Sequence, residues 1–475
     1  MTPPPREARA PHPAAAPTVA PTAARAAAPT VAVIGSGIAG LTAAYVLARE
    51  RRVTLYEAED RLGGHAHTHL VGAADTPVDS GFLVHNPANY PLLVRLFTEL
   101  GVRTRPCEMS LSVGCEGCGL RYVSGSTLRT VPERPAGLDR ATWRRALTEK
   151  ARFSAAARRA LAEPEPEPEP GAEPGTGTGT APGTDPVTDP GTDRGTDRGT
   201  TLTLGEFIEK EGHDDYFVRH LVLPLVCAVW SCGPRAALRY PARYLFRFLA
   251  QHGLLDGGPA TRWRTVVGGS ADYVRRIAAR VPEIRAGSAV TALTRTARGV
   301  EVTDAHGRGA RYDQAVLATH PAQALALLTD ATRPEREVFG AIGYLPSEVL
   351  LHTDARLLPD DERDRASWNH HQLRCAADDH EVSTSYHLNR LHGLPADPDY
   401  VVTLNAAVPP APGSVLARMR YEHPLYSPGM LDARRRLPAL STPVLAYAGA
   451  YHGWGFHEDG CRSGVAAART LGVDW

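Results

Sequence analysis

The sequence predicts an α/β fold in which a domain with a parallel sheet is combined with an α+β domain that contains an antiparallel sheet. A short apolar strand, a glycine-rich turn and a helix follow residue 30, a pattern typical of parallel sheets with crossover helices. Several strand candidates with short connections lie between residues 346 and 421, which predicts an antiparallel meander. A last strand, loop and helix follow residue 440.

Composition excludes two classes of protein. The chain has 475 residues with 52 basic and 52 acidic side chains, so its formal net charge is zero. Nucleic-acid binding proteins usually need a basic excess to displace counterions, and we therefore expect no nucleic-acid partner. Since no stretch reaches the roughly 18 uncharged apolar residues of a membrane-spanning helix, we expect no transmembrane segment.

Two segments are set apart by their composition. Residues 1–29 are rich in proline and alanine, lack the apolar stretch of a secretory signal, and are predicted to be a disordered leader on a cytoplasmic protein. Their alanine and arginine bias also resembles a transit peptide, which leaves organelle targeting open. Residues 162–200 form a repetitive tract of Glu, Pro, Gly, Thr and Asp that cannot bury a core and is predicted to be a linker.

The glycine-rich turn follows the apolar strand Val31–Ile34 with the spacing GxGxxG, at Gly35, Gly37 and Gly40. In such a unit the first glycine makes the tight turn, the second lets backbone amides approach a pyrophosphate, and the third lets the helix pack closely. The helix N-terminus adds partial positive charge for the phosphates. Glu57 ends the next strand, about 20 residues on, and can accept hydrogen bonds from ribose hydroxyls. This unit predicts a Rossmann-like site for an adenine dinucleotide.

The residues after Glu57 continue as Arg61, Gly63, Gly64 and His65, which gives the pattern ExxxRxGGH. This pattern resembles the amine oxidase, protoporphyrinogen oxidase and phytoene desaturase superfamily of flavoproteins. The resemblance implies FAD as cofactor, with the acid on the ribose, the arginine near the pyrophosphate and the glycine pair along the flavin end. A second strand–GxGxxG–helix unit is absent from the sequence, which disfavours a reductase with a separate NAD(P)H domain.

Further motifs extend the resemblance over almost all of residues 31–475 apart from the linker. They include VDSGFLVHN, WRTVVGGS, VLATHP and GAYHGWGFHEDGCRSG, and they are similar to a bacterial subgroup of amine-oxidase-like, NAD/FAD-binding oxidoreductases. Members of that subgroup often accompany cyclopropane-fatty-acyl-phospholipid synthases. By association alone, this implies lipid or acyl chemistry and a functional link to such a synthase.

The end of the chain resembles the last FAD contact of the superfamily, a strand and loop followed by a helix whose first amides face the flavin. A helix N-terminus at that place stabilises the negative charge of reduced flavin without a cation. The predicted cofactor-binding residues are Gly35, Ser36, Gly37, Ala39, Gly40, Glu57, Arg61, Gly63, Gly64, His65, Val290, Gly449, Asp459 and Gly460.

The same resemblance divides the chain into two discontinuous domains. The predicted pieces are the disordered leader (1–29), an FAD-binding domain (30–85, 262–325 and 440–475), a substrate domain (86–161, 201–261 and 326–439) and the low-complexity linker (162–200).

The sequence departs from the superfamily pattern at two places. Amine oxidases of this group commonly hold a lysine near flavin N5, but the only lysines here are Lys150 and Lys210, both in peripheral helices. The glutamate of the usual AGE strand end is replaced by Ala450. A set of histidines takes the place of these groups, and we predict His457 and Glu458 as the catalytic residues.

Metal binding has two candidate motifs, and neither predicts a site. His65, His67 and His69 alternate, but they directly continue the flavin pattern. Cys115 and Cys118 have the CxxC spacing of half a zinc site without a second CxxC or HxxxH pair at a suitable distance. We interpret them as free thiols in a glycine-rich turn, with a metal site or a redox pair as the alternatives left open.

Taken together, the motifs predict an FAD-dependent oxidoreductase that moves a hydride from a substrate C–H to flavin N5. A desaturase or oxidase acting on a small apolar, acyl-type substrate fits the missing lysine and the aromatic helices. Amine oxidation is the alternative within the enzymes. The alternative of another class is a non-catalytic binding protein, because Rab GDP-dissociation inhibitors share the architecture, although the intact GxGxxG and Glu57 argue against it.

Overall fold

The computed structural model describes residues 6–7, 28–124, 139–163, 202–255 and 262–475. The predicted leader (1–29) and linker (162–200) lie almost wholly outside these residues, so their predicted disorder stays a prediction. Within the described residues the α/β fold class is confirmed, because a parallel sheet and antiparallel sheets are both present.

The strands, in chain order, are β1 (Arg6–Glu7), β2 (Thr30–Ile34), β3 (Arg52–Tyr56), β4 (Thr68–Val71), β5 (Thr76–Asp79), β6 (Thr104–Pro106), β7 (Leu111–Cys115), β8 (Arg121–Ser124), β9 (Arg264–Val266), β10 (Glu283–Arg285), β11 (Val290–Thr296), β12 (Gly299–Asp304), β13 (Gly309–Tyr312), β14 (Gln314–Leu317), β15 (Tyr344–His352), β16 (Trp368–Gln372), β17 (Val382–His387), β18 (Val401–Leu404), β19 (Val415–Pro424) and β20 (Leu445–Tyr447).

The α-helices are α1 (Ile38–Leu47), α2 (Pro91–Leu100), α3 (Arg140–Ala162), α4 (Leu204–Glu211), α5 (Asp215–Phe217), α6 (Leu223–Trp230), α7 (Pro234–Leu238), α8 (Ala242–Gln251), α9 (Ala271–Ala278), α10 (Pro321–Leu327), α11 (Arg333–Gly340), α12 (Leu388–His392), α13 (Pro428–Arg436) and α14 (His457–Thr470). Val218–Val222 is a π-helical turn, and short 3-10 turns lie at Ala355–Leu357, Glu362–Asp364, Asp379–Glu381, Leu437–Leu440 and Ala450–His452.

The five-stranded sheet is parallel throughout, with strand order β10-β3-β2-β14-β20. Its central strand β2 is buried on both faces, as its continuous apolar sequence predicts. Val31 and Val33 pack in the core that holds α1 and α14, whereas Ala32 and Ile34 pack in the core of the β11–β13 meander. Alternation along one strand therefore places α1 and α14 on one face and the meander on the other.

Helix α1 begins at Ile38, three residues before the start that the sequence predicts. Gly37 is its N-cap, with an extended backbone at φ −62° and ψ 172°. The last glycine of the GxGxxG motif therefore lies inside the first turn of the helix. This brings the N-terminal amides of α1 directly to the glycine-rich turn.

The largest sheet has seven strands in the order β19-β15-β18-β17-β16-β7-β8. The predicted antiparallel strands between 346 and 421 form most of it, but they do not pair in sequence order, because β15 lies between β19 and β18. Strand β7, from a much earlier part of the chain, extends the sheet by pairing in parallel with β16. The prediction of a simple meander was wrong on these two points.

Helices α3 to α8 form an aromatic layer beside this sheet. Phe153 of α3 lies edge-on to Phe246 of α8 with ring centroids 5.5 Å apart, and Phe207 of α4 lies 4.7 Å from Phe246. These side chains are nearly fully buried, so the aromatic residues of this region serve first as a core.

Smaller sheets complete the described part of the chain: β11-β12-β13 and β1-β4-β5 are antiparallel, and β6 pairs with β9. The parallel sheet draws its strands from 30–56, 283–317 and 445–447, so the chain leaves this sheet and returns to it twice. Among the described residues, no helix combines the length and the apolar character needed to cross a membrane.

Candidate cofactor and active site

The glycine-rich turn is built by close backbone approach at its two ends and is open in the middle. Gly35 has φ +97°, and a Cβ there would lie 2.8 Å from the carbonyl oxygen of Ala318. A Cβ at Gly40 would overlap the carbonyl oxygen of Gly35. At Gly37, by contrast, a Cβ would meet no atom within 4 Å. The turn therefore leaves free space in front of the N-terminus of α1, where a phosphate group binds in such units.

Glu57 lies at the carboxyl end of β3, directly beside this turn. Its Oε2 accepts hydrogen bonds from the backbone amide of Ser36 at 2.9 Å and from the Ser36 hydroxyl at 2.5 Å. Its Oε1 accepts from the amide of Glu59 at 3.0 Å. The carboxylate is thus fixed at the end of the sheet, half-buried, with lone pairs left for further donors.

The second glycine pair packs against the first motif. The amide of Gly63 donates to the carbonyl of Ser36 at 3.1 Å, and a Cβ at Gly64 would lie 3.2 Å from the Cα of Gly37. Arg61 donates to the carbonyl of Gly64 at 2.8 Å and pairs with Glu59 at 3.0 Å. The sequence motif ExxxRxGGH therefore forms a second wall of the same groove.

Helix α14 brings the end of the chain to this groove. A Cβ at Gly460 would lie 2.6 Å from Cγ2 of Ile38, and one at Gly464 would overlap the carbonyl oxygen of Ala39. Glycines at these positions let α14 pack directly on α1. The two helix N-termini, from opposite ends of the described chain, consequently lie side by side and give the groove a positive electrostatic potential.

Three other predicted cofactor residues lie around this arrangement. Ser288, two residues before Val290, donates its amide to the carbonyl of Glu57 at 2.8 Å, so Val290 begins its strand next to the ribose end of the groove. The Gly449 amide donates to the Ser463 hydroxyl oxygen at 2.9 Å. Asp459 accepts from the Phe456 amide at 3.0 Å, and burial raises its pKa to about 6.

Neutral histidines and tyrosines line the end of the groove near His65. The His65 ring lies 4.8 Å from the ring of Tyr421 and 5.5 Å from that of His423. His320 stacks on Tyr344 at 4.2 Å. Burial lowers the pKa of His65 well below its usual value, and it lowers the pKa of His423 to about 4. Both imidazoles are therefore neutral at physiological pH.

The predicted catalytic pair lies at the first turn of α14, where both side chains have protein partners. The ring of His457 stacks on Phe82 at 3.8 Å, and its Nε2 lies 3.0 Å from the Tyr273 hydroxyl. Both carboxylate oxygens of Glu458 accept backbone amides at the start of α2, from Leu92 at 3.2 Å and Leu93 at 3.0 Å. These contacts favour a role in positioning helices, and the catalytic role stays a prediction.

The two lysines lie on α3 and α4, two helices of the aromatic layer. Lys210 is exposed on α4. Lys150, on α3, lines a cavity of about 100 Å³ between α3, the π-helical turn and α8. The other lining residues are mainly apolar and include Leu111, Leu147, Phe153, Leu221, Leu225 and Leu249. Burial lowers the pKa of the Lys150 ammonium.

Comparison with known proteins decides the family. A family model described as flavin containing amine oxidoreductase matches residues 38–370, which is more than half of the chain. The chain belongs to this family. Its membership makes the protein a flavin-dependent oxidoreductase, as the sequence predicts, and speaks against the non-catalytic binding protein.

Solved structures show the same fold. Cyclohexylamine oxidase from Brevibacterium oxydans IH-35A is 16% identical, with a TM-score of 0.63 over 94% of this chain and 98% of that one. A CLA-producing fatty acid isomerase from P. acnes is 15% identical, with a TM-score of 0.61 over 93% and 98% of the two chains. Putrescine oxidase bound to putrescine is 14% identical, with a TM-score of 0.61 over the same shares.

Buried polar atoms of this flavin-dependent oxidoreductase fit a polar cofactor ring system. Several of them have no hydrogen-bond partner among the described residues, namely His65 Nε2, His423 Nδ1, His452 Nε2, Trp454 Nε1 and the Tyr451 hydroxyl. Buried polar groups almost always have partners, so these atoms indicate a ligand with hydrogen-bonding edges. Together with the open space at Gly37, they fit a flavin held along the groove.

Several residues of this candidate site could not be predicted from the sequence. Tyr421 and His423 were within or next to a strand candidate, and only their alternation along β19 could have placed both on one face. Phe82 and Tyr273, which hold His457, come from segments far apart in the chain. Nothing local in the sequence indicates that they meet.

Proposed function

We propose that the protein binds FAD and oxidises an apolar substrate with an acyl carboxylate, in the manner of a desaturase or oxidase. The observation that carries the substrate class is the apolar cavity with the ammonium of Lys150 in its wall. When bound, the flavin supplies the acceptor for a hydride. The residues of the chain bind the substrate, orient it and exclude water.

FAD rather than FMN is supported by the length and chemistry of the groove. Gly37 and the N-terminus of α1 suit a pyrophosphate, and Glu57, beyond the turn, suits an adenosine ribose. The carboxylate of Glu57 also disfavours a nucleotide whose ribose carries a 2′-phosphate. The adjacent N-terminus of α14 suits a ring that becomes negatively charged on reduction.

The cavity favours a carboxylate over an amine as the charged end of the substrate. An ammonium in an apolar wall attracts a carboxylate and repels a protonated amine. Glu149, the nearest acid in sequence, is already held by Arg152 and by His213 at 3.1 Å, so it does not neutralise Lys150. An apolar acyl group also suits the leucine and phenylalanine side chains of the wall.

Helix α8 connects this cavity with the cofactor groove. Leu249 lines the cavity, whereas the adjacent Phe248 packs against Phe456 at 4.9 Å and Trp454 at 6.1 Å, in the loop that leads into α14. Aromatic side chains therefore pack between the two sites. The substrate carbon that reacts is thereby kept in apolar surroundings.

Amine oxidation is the second candidate, because the family model carries that name and two of the similar structures are amine oxidases. The neutral histidines of the groove present no charge that would repel an amine. The similar fatty acid isomerase shows that the same fold also acts on fatty acids. With the acyl substrate we also propose a cytoplasmic location and a functional link to a cyclopropane-fatty-acyl synthase.

Anaerobic titration of the purified flavoprotein tests the two candidates. We expect a fatty acid to bleach the visible flavin absorbance and primary amines to leave it unchanged. Lys150→Met should weaken binding of the fatty acid about tenfold, the loss of one partly buried ion pair, while binding of its uncharged methyl ester should change little. Lys210→Met, the other lysine of the chain, is the matched control and should behave as the native protein. Bleaching by amines alone would establish the second candidate instead.

A further inference from the structure

Three cysteines and a histidine meet at one edge of the seven-stranded sheet, far from the cofactor groove. Cys115 ends β7, Cys118 lies in the turn to β8, Cys375 follows β16, and His220 lies in the π-helical turn. Their four donor atoms all lie within 4.8 Å of one another. The cluster joins segments that are about 100 and 260 residues apart in sequence.

The spacing of the donor atoms matches a tetrahedral metal site. The Sγ atoms of Cys115 and Cys375 are 3.8 Å apart, and Cys118 Sγ lies 3.5 Å from His220 Nε2. Around a tetrahedral zinc ion, with Zn–S of about 2.3 Å and Zn–N of about 2.0–2.1 Å, two sulfurs lie about 3.8 Å apart and a sulfur and a nitrogen about 3.6 Å apart. The two distances therefore match those around a single tetrahedral zinc ion.

The backbone of the CxxC turn is shaped for this approach. Gly119, at φ +71°, donates its amide to the Cys115 carbonyl at 2.9 Å and closes the turn around the two sulfurs. A Cβ at Gly117 would lie 3.0 Å from both the Cα of Arg374 and the amide nitrogen of Cys375. The glycine therefore lets the segment that carries the third thiol lie directly against the turn.

His220 is oriented as a metal ligand. Its Nδ1 lies 2.9 Å from the carbonyl oxygen of Tyr216, an acceptor only, which assigns the ring proton to Nδ1 and leaves the Nε2 lone pair facing Cys118. Such a second hydrogen bond is the usual way in which proteins fix the tautomer of a ligating histidine. The Tyr216 ring stacks on the imidazole at 4.0 Å and keeps it in place, and the His220 side chain is fully buried.

We propose that Cys115, Cys118, Cys375 and His220 bind one Zn²⁺ ion as a four-coordinate structural site. Three thiolates and one imidazole are a ligand set that zinc prefers, and four protein donors leave no open position for a substrate. Binding releases the thiol protons and replaces them with three metal–sulfur bonds, with no change of oxidation state. The CxxC motif alone does not indicate this cluster, because His220 and Cys375 lie far downstream of it.

The site ties the sheet edge to the helical layer. The β7–β8 hairpin and the loop after β16 come from the sheet, whereas His220 comes from the turn that carries Leu221 and Val222 of the cavity wall. A metal ion at this place fixes that turn against the sheet. It therefore supports the shape of the cavity from outside without contacting its contents.

Metal analysis of the full-length flavoprotein, purified without chelator or added metal, tests the proposal directly. We expect about one zinc per chain by mass spectrometry, and release of that zinc on addition of an organomercurial thiol reagent. Protein expressed in minimal medium with Co²⁺ should show the d–d bands of tetrahedral cobalt and a thiolate charge-transfer band. Native protein without zinc, together with a Cys115–Cys375 disulfide in a non-reducing peptide map, would overturn the proposal.

Substitutions identify the ligands. Cys118→Ser and His220→Ala should reduce the zinc content from about one equivalent to near zero and lower Tm, while Cys107→Ser and His371→Ala should retain the metal. Cys107 is a thiol outside the cluster, and His371 adjoins the same loop but pairs with Glu116 at 3.1 Å. Equal zinc loss in the control variants would contradict the assignment. The cobalt spectrum of the native protein decides the matter even if a ligand variant fails to fold.

Discussion

In the proposed FAD site, Glu57 is the residue that we expect to recognise the adenosine half. Its carboxylate is held by the amide and hydroxyl of Ser36 and by the amide of Glu59, all at 3.0 Å or less. These three donors set the direction in which the remaining lone pairs point. A ribose that donates two hydroxyls to this group meets a carboxylate that does not have to reorganise.

We expect Glu57→Gln to weaken FAD binding by about 10- to 100-fold, because charge-assisted hydrogen bonds are worth about 1.5–3 kcal/mol. The ratio of flavin to protein after dialysis, and titration of the apoprotein with FAD, measure this loss. Glu59→Gln is the matched control, since Glu59 is exposed and binds Arg61 rather than the turn. A flavin content of Glu57→Gln equal to that of the native protein would show that the adenosine end lies elsewhere.

For the predicted catalytic residues, the local sequence predicts their position but not their contacts. Local sequence places His457 and Glu458 at the start of α14, and the structure agrees on that position. The local sequence cannot show that Glu458 caps α2, because Leu92 and Leu93 are more than 360 residues away from it. Burial lowers the pKa of His457 to about 3, which makes it a weak base and favours a positioning role.

At the scale of elements, the contact between α1 and α14 determines the groove. Gly464 is the residue on α14 whose Cβ would overlap a backbone carbonyl of α1, an obstacle that no side-chain movement removes. Overpacking of this kind typically costs 1–3 kcal/mol. A side chain at this position would push α14 away from α1 and so separate the two helix N-termini.

Gly464→Ala should therefore lower the free energy of unfolding by about 1–3 kcal/mol and reduce the flavin content as well. Denaturant unfolding followed by far-UV circular dichroism measures the first effect. In Gly429→Ala the added methyl, in the first turn of α13, would meet no atom within 4 Å. That control should be neutral or slightly stabilising, because alanine favours helix more than glycine does. Equal stability of both variants would mean that α14 packs less closely than described.

The sequence predicts some elements well and others poorly, for a physical reason. The β2–α1–β3 unit and α14 carry local motifs, since a phosphate-binding turn demands glycine at fixed spacing. The order of the seven-stranded sheet is not encoded locally: β7 pairs with β16, more than 250 residues later, through backbone hydrogen bonds that any residue can make. For the same reason the cysteine cluster could not be assembled from the CxxC motif alone.

At the scale of the whole molecule, burial of many histidines sets the pH dependence of stability. Burial lowers the pKa of several of them to about 3 or 4, namely His69, His85, His352, His370, His423, His452 and His457. In the unfolded chain they return to about 6.5. Between pH 6.5 and 4 the unfolded chain then binds more protons, so stability falls as the pH falls.

His352 allows this effect to be measured outside the cofactor groove. Its Nδ1 accepts the amide of Asp354 at 3.1 Å, a bond that protonation of the ring would break, and its Nε2 lies 2.8 Å from the Thr403 hydroxyl. Between pH 7 and pH 5 this residue alone should remove on the order of 1–2 kcal/mol of stability.

In His352→Gln, the loss of stability between pH 7 and pH 5 should be smaller than in the native protein by that amount. Denaturant unfolding at the two pH values gives the difference directly. The exposed His306 provides the control His306→Gln, whose pH dependence should match the native one. An unchanged pH dependence in His352→Gln would show that this imidazole is already accessible to protons. The raised pKa of Asp459 acts in the opposite direction, since burial favours its protonated form.

The packing of α14 on α1 also has a consequence for biogenesis. A nascent chain on the ribosome exposes the glycine-rich turn early, yet the partner helix is synthesised more than 400 residues later. Until then the apolar face of α1 lacks its cover, and the dinucleotide has only half of its binding surface. We therefore expect the flavin to bind only after the whole chain has been synthesised.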